Sequence, residues 1–147
     1  MKLIIPPVFV VLCLAGMASL HVFATPEQVI EYPYNLTGVL LIAAGIAMGA
    51  ASGNLFRKVE TQIHTFKEPQ KLVTEGLFRF SRNPIYLGFT LILLGSAICF
   101  GSAICFLFPA LFWLAANFWY IPFEERNMRR IFRQAYLNYE SKVRRWI

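Results

Sequence analysis

Residues 78–88 read FRFSRNPIYLG and stand directly before a long apolar run. Arg79 and Arg82 lie three apart and can offer bidentate contacts to a carboxylate or phosphate. Asn83 followed by Pro84 spells a helix start, the asparagine expected to cap free amides and the proline presetting the first turn. Such an entrance presents amides and partial positive charge, a site for an anion. At the far end of the same apolar stretch come Glu124 and Glu125. Acidic residues where a span leaves the membrane are poorly explained by insertion preferences, and they point to a partner. Within the helix, Glu125 is expected to pair with Arg129 one turn on, and Glu124 with Arg126 or a loop arginine. Opposed charges across one interfacial cleft, with Arg82, Asn83 and Tyr86 on one wall and the glutamates on the other, would suit a zwitterionic ligand. The plainer account makes Arg82 a snorkelling residue and the glutamates neutralisers of nearby arginines.

These residues need elements to hold them, and the composition says which kind. Of 147 residues 57% are hydrophobic and 15% charged, with a mean hydropathy of +0.54, too apolar for a water-soluble domain of this size. A bilayer core of about 30 Å takes about 20 apolar residues per helical span. The expectation is an all-α integral-membrane protein of one domain, 1–147, with spans at about 3–24, 36–56, 84–99 and 102–123. A cytoplasmic loop, 57–83, and an interfacial C-terminal helix, 124–142, complete it. Lys2, the basic residues from Arg57 to Arg82 and those from Arg126 to Arg145 account for all 14 Lys and Arg, while the segment 25–35 carries only Glu27 and Glu31. The positive-inside preference therefore puts both termini in the cytoplasm, in a membrane expected to be a bacterial inner membrane. The net charge of +6 follows from that topology and from anionic lipid, so no nucleic-acid partner is expected. Val22, Phe23 and Ala24 resemble a signal-peptide cleavage site, but the run is span-length and the charge balance needs it retained.

Other patterns are packing or punctuation. Gly38, Gly45, Gly49 and Gly53 recur among alanines as a close-packing seam. Cys13, Cys99 and Cys105 fall inside spans as small apolar residues. The hexamer GSAICF occurs twice in succession over 95–106, placing a tight turn near Phe100 and Gly101. The loop holds Val59, Ile63, Phe66, Leu72, Val73, Leu77, Phe78 and Phe80, apolar enough to fold down on something, while His64 is read as an interfacial loop residue. After the last span, Met128, Ile131, Phe132, Ala135, Tyr136 and Tyr139 step by three and four along one helical face. A basic amphipathic helix of that kind lies in the interface and can cap a pocket.

The order LVTEGLFRFSRNPIYLG, apolar hairpin, paired glutamates, Phe132, Tyr136, Tyr139 and VRRW resembles the isoprenylcysteine carboxyl methyltransferase and phospholipid methyltransferase group of integral-membrane enzymes. The resemblance implies that S-adenosylmethionine binds between Arg82, Asn83, Pro84, Tyr86 and Gly88 on one side and Glu124 and Glu125 on the other. Tyr136 and Tyr139 would belong to the lid, and Arg82 and Glu125 would carry the catalytic roles. It also implies methyl transfer to a small or lipid-like acceptor, such as an isoprenylcysteine-like carboxylate, and no metal. This chain departs from the family pattern in having Asn83 for a histidine and Arg133 for a glycine. Two rivals remain: an NADPH-dependent membrane reductase of the same superfamily, and a non-enzymatic scaffold or lipid binder.

Overall fold

A computed structural model describes residues 5–24, 26–58 and 71–147. The expected start of the first span at residue 3, and Val59, Ile63, His64 and Phe66 of the loop, lie outside the described residues. The described chain is helical: α1 (Pro6–Ala24), α2 (Thr37–Lys58), α3 (Pro84–Phe100), α4 (Leu107–Ala115) and α5 (Ile121–Glu140). Among the described residues no strand forms beyond an isolated bridge between Gln28 and Ser102. A five-residue π-turn, Ala116–Tyr120, fuses α4 to α5.

Three helical runs, Pro6–Ala24, Tyr34–Lys58 and Ala103–Glu140, are long and apolar enough to cross a membrane. The fourth expected span, α3, is equally apolar but has 17 residues. At about 1.5 Å per residue it falls just short of a ~30 Å core. What stops it is Gly101, which sits at φ 73 and takes the left-handed position after the helix, its amide donating to the carbonyls of Ala97 and Ile98. The carbonyl of Gly101 in turn accepts from the amides of Val29 and Ile30, pinning the connection between α1 and α2 against the turn. Of the two identical hexamers, then, the first completes α3 and the second makes the turn and a 3-10 segment, Ala103–Phe106.

The tightest helix pair is α2 with α3, and glycines permit it. A Cβ on Gly38 would lie 2.2 Å from the Gly95 carbonyl oxygen, and one on Gly45 would lie 2.4 Å from that of Gly88. Two glycine pairs, each seven residues from the next along its own helix, bring the antiparallel backbones into direct contact, as lipid-embedded helices favour. Gly49 and Gly53, expected in the same seam, face open space within 4 Å among the described residues.

The main core joins α1, α3 and α4 through Met17, Leu93, Ala97, Phe112, Ala116 and Ile121, all fully buried. A second cluster lies beyond it, where Val73 and Phe78 of the loop pack on Tyr136 and Tyr139. The loop does fold down in its described part, although Phe80 stays exposed. The one-faced helix expected after the last span is broken instead: Arg133 has φ 44 and ψ −120, so α5 bends there and Ala135 turns outward. Arginine has a Cβ that resists this conformation, and glycine does not.

Candidate active site

The short loop before α3 is shaped by Gly76, at φ 58, which opens a 3-10 turn over Gly76–Arg79. That turn sends Arg79 outward and Arg82 inward. The Arg82 side chain is 10% exposed and its Nη1 lies 3.3 Å from Glu125 Oε1, beside the Glu140 carboxylate and 3.5 Å from the Tyr136 hydroxyl. Glu125, 5% exposed, also receives the fork of Arg145, with Nε 3.1 Å from Oε1 and Nη2 2.7 Å from Oε2. Glu140 takes a second fork from Arg129, at 2.9 and 2.7 Å. Three guanidiniums and two carboxylates thus interlock around Arg82.

These contacts set the ionisation. Burial works against the charge of Arg82, but its bond to Glu140 and the nearby Glu125 carboxylate outweigh burial and raise its pKa. The bond from Arg129, assisted by Arg82, holds Glu140 down at about 2 against its burial. Burial raises the pKa of the Tyr136 and Tyr139 hydroxyls, so both stay protonated near neutrality. The Tyr139 hydroxyl donates to the Phe78 carbonyl at 2.7 Å, tying α5 to the loop.

On the other side of Glu125, Tyr86 donates to Glu124 Oε1 at 2.8 Å, and its ring stacks with Tyr120 at 6.2 Å. The entrance of α3 therefore meets the glutamate pair, and Arg82, Asn83, Tyr86, Glu124, Glu125 and Tyr136 share one region at the end of the bundle. Three sequence-based expectations are corrected there. Asn83 precedes α3 with φ −133 and makes no side-chain cap; its side-chain Nδ2 donates to the Arg145 carbonyl at 3.1 Å, because residues 143–147 cross that entrance. The expected Glu125–Arg129 pair is replaced by Arg129–Glu140, since the bend at Arg133 brings Glu140 back over Arg129. Arg79 does not join Arg82; it lines a separate cleft of about 380 Å³ with Thr74, Asn138, Tyr139, Lys142 and Val143. Pro84 is buried at the head of α3, and Gly88 lies against Gly45 of α2.

Sequence reasoning missed Glu140, Arg145 and Asn117. Asn117, inside the π-turn, accepts from Arg145 Nη1 at 3.3 Å and from the Trp146 indole at 3.2 Å. A lone amide within an apolar span was a signal for it. Arg145 stands in the VRRW element of the resemblance but was given no role, and Glu140 gave no signal, because the bend at Arg133 is what brings it over Arg129.

A buried ion network of this sort gains little net stability, since the attraction roughly repays desolvation, but its members are costly to leave alone. It is suited to exchanging partners with a ligand that carries both charges. One donor already lacks a partner: Arg82 Nε is buried without a hydrogen bond among the described residues.

Comparison with known proteins adds a family. The phospholipid methyltransferase family matches residues 34–135. Protein-S-isoprenylcysteine O-methyltransferase B of Arabidopsis thaliana is 32% identical over 77 residues, which are 52% of this chain and 39% of the relative. The probable protein-S-isoprenylcysteine O-methyltransferases of Oryza sativa, subspecies indica and japonica, are each 31% identical over 82 residues, 56% of this chain and 42% of theirs. The chain thus spans about two fifths of the length of the curated relatives it matches. No solved structure matches significantly.

Proposed function

Because the chain belongs to the phospholipid methyltransferase family, we propose that it transfers a methyl group from S-adenosylmethionine to a lipid-like acceptor at the cytoplasmic face of a membrane. The observation that carries this is the convergence of Arg82 and Tyr86 with Glu125 and Glu124, at 3.3 and 2.8 Å. In this reading α3 is a fourth span, its short apolar length met by local thinning of the bilayer, with the basic loop and α5 on the cytoplasmic side.

The site's own atoms fit the cofactor. The Arg82 Nε–H, buried without a hydrogen bond among the described residues, would donate to the cofactor's carboxylate. Glu125 holds a cationic fork now and would hold an ammonium. Glu124, fixed by the Tyr86 hydroxyl, adds negative charge beside it. Asn83, Pro84 and Tyr136 complete the wall around the Arg82 side chain. S-adenosylmethionine, when bound, supplies an electrophilic methyl on a sulfonium sulfur. The chain's part is to align the acceptor and exclude water, which lowers the barrier without a strong base when the acceptor is an ionised carboxylate. For an amine or thiol acceptor, Glu124 or Glu125 would take the proton. The relatives named as isoprenylcysteine O-methyltransferases favour a carboxylate beside a lipid-like thioether.

The test is to incubate membranes containing the protein with S-adenosylmethionine labelled in its methyl group, then separate lipid, protein and volatile fractions. Label in the lipid or small apolar fraction, dependent on the protein and abolished by Glu125→Gln, is expected. Label in none of them, together with no heat of binding for S-adenosylhomocysteine and a measurable one for NADPH, would overturn the proposal.

A further inference from the structure

We infer that Glu125 and Asn117 form a subsite for a cationic group and that the chain's own Arg145 fills it until a ligand does. The inference rests on the proposed cofactor for the identity of that ligand, not for the existence of the subsite. Its walls are unusual for a membrane span. Asn117 is a polar residue within the apolar run, carried by the π-turn, and its carboxamide oxygen accepts from both Arg145 and Trp146. Glu125, two turns further on, offers both carboxylate oxygens to the same guanidinium. All three guanidinium nitrogens of Arg145 are thereby engaged, each through one bond, by a carboxylate and an amide.

The segment carrying Arg145 is docked but loosely so. Its backbone is held by the Arg82 amide to the Arg144 carbonyl at 3.0 Å, and by Asn83 and Ser81 side chains to the Arg145 carbonyl at 3.1 and 3.4 Å. Trp146 stacks on Trp113 at 6.0 Å. Yet residues 141, 142, 144 and 147 are exposed, and Val143 and Trp146 are only partly buried where they pack against the two clusters. Removing Arg145 from Glu125 leaves that carboxylate still paired with Arg82. Exchange therefore never strands a bare buried charge, the main barrier to opening such a site. An α-ammonium entering the subsite would compete with Arg145, and the segment 143–147 would act as an internal competitor of the cofactor. Asn117 then adds an oxygen acceptor that favours a donor-rich cation over an apolar tail.

Two measurements test this on the purified full-length protein. First, Arg145→Gly is titrated with ethylguanidinium while its unfolding temperature is followed. A saturable rise is expected in this variant and not in the unsubstituted protein, and adding Asn117→Ala should weaken the rescue about fivefold, one hydrogen bond's worth. No rise overturns the subsite, and a rise indifferent to Asn117 removes Asn117 from it. Second, S-adenosylhomocysteine binding is measured by calorimetry. Arg145→Gly should bind about tenfold more tightly, the factor by which a filled state at about nine-tenths occupancy lowers apparent affinity. Equal or weaker binding overturns the competition. If Arg145→Gly does not fold, Arg145→Lys, which keeps the charge but loses the fork, should bind more tightly by a smaller factor, with the same result overturning it. Guanidinium rescue without binding of S-adenosylhomocysteine to any form would leave the subsite standing and remove the cofactor.

Discussion

Arg82 is the residue that joins the loop before α3 to both ends of α5: it reaches Glu125, Glu140 and Tyr136 and keeps one donor in reserve. Arg82→Ala and Glu125→Gln should each weaken binding of S-adenosylhomocysteine by about 1.5–3 kcal/mol, the usual worth of a hydrogen bond to a charged group. Calorimetry in detergent measures it, and unchanged affinity in both would separate the network from the cofactor. Glu140 gives a pH signature. Its pKa is held at about 2 in the folded protein against an ordinary 4.5, so its contribution is full above 4.5 and lost as pH falls through about 2. Unfolding temperature should therefore fall across that window, and Glu140→Gln should flatten the part due to this group. The two glutamates were legible in the sequence because acids are odd where a span meets the cytoplasm, and Arg82 and Tyr86 because they stand in the motif that carries the family resemblance. Glu140 was not, because one acid among many surface arginines has no such oddity, and Arg145 was quoted within VRRW without a partner to give it a role.

At the level of elements, the bend in α5 and the seam between α2 and α3 carry the most consequence. Arg133 occupies a glycine-favouring conformation at φ 44, which costs of order 1–3 kcal/mol for a residue with a Cβ. Arg133→Gly should raise the unfolding temperature while leaving Arg129 paired with Glu140, whereas Arg133→Ala should bring no such relief. A lower temperature for the glycine variant would mean the arginine side chain holds the bend. The sequence marked the position as unusual, but a helical face was expected to run through it, since stepping by three and four cannot register one displaced dihedral. In the seam, Gly45→Ala should cost about 1–3 kcal/mol by forcing a Cβ toward the Gly88 carbonyl. Gly49→Ala meets open space and should be neutral or better, as thermal scans of the two variants would register. Spacing alone gave all four α2 glycines one face, and only the partner helix shows which two are used.

For the whole molecule, the expectation of an all-helical membrane protein holds because apolar run length is a coarse quantity that needs no tertiary detail. The duplicated GSAICF shows the opposite limit: identical hexamers become helix and turn, so their fate is decided by neighbours and not by propensity. The proposed topology predicts that cysteines replacing Glu27 and Lys142, in a background lacking the native three, are labelled from opposite sides of sealed vesicles. Labelling of both from one side would refute it. The π-turn, finally, does more than house Asn117. Buried Phe112, Ala116, Ile121 and Glu125 follow one another at intervals of four, five and four, and the five falls where the helix widens. The wide turn is thus a gear tooth between the anchoring half of the helix and its reactive half. Delete one exposed residue from it, Phe118 for instance, and the interval of five becomes the four that an ordinary α-turn keeps on one face, so the acidic pair would hold its bearing while the widened seat of Asn117 was lost.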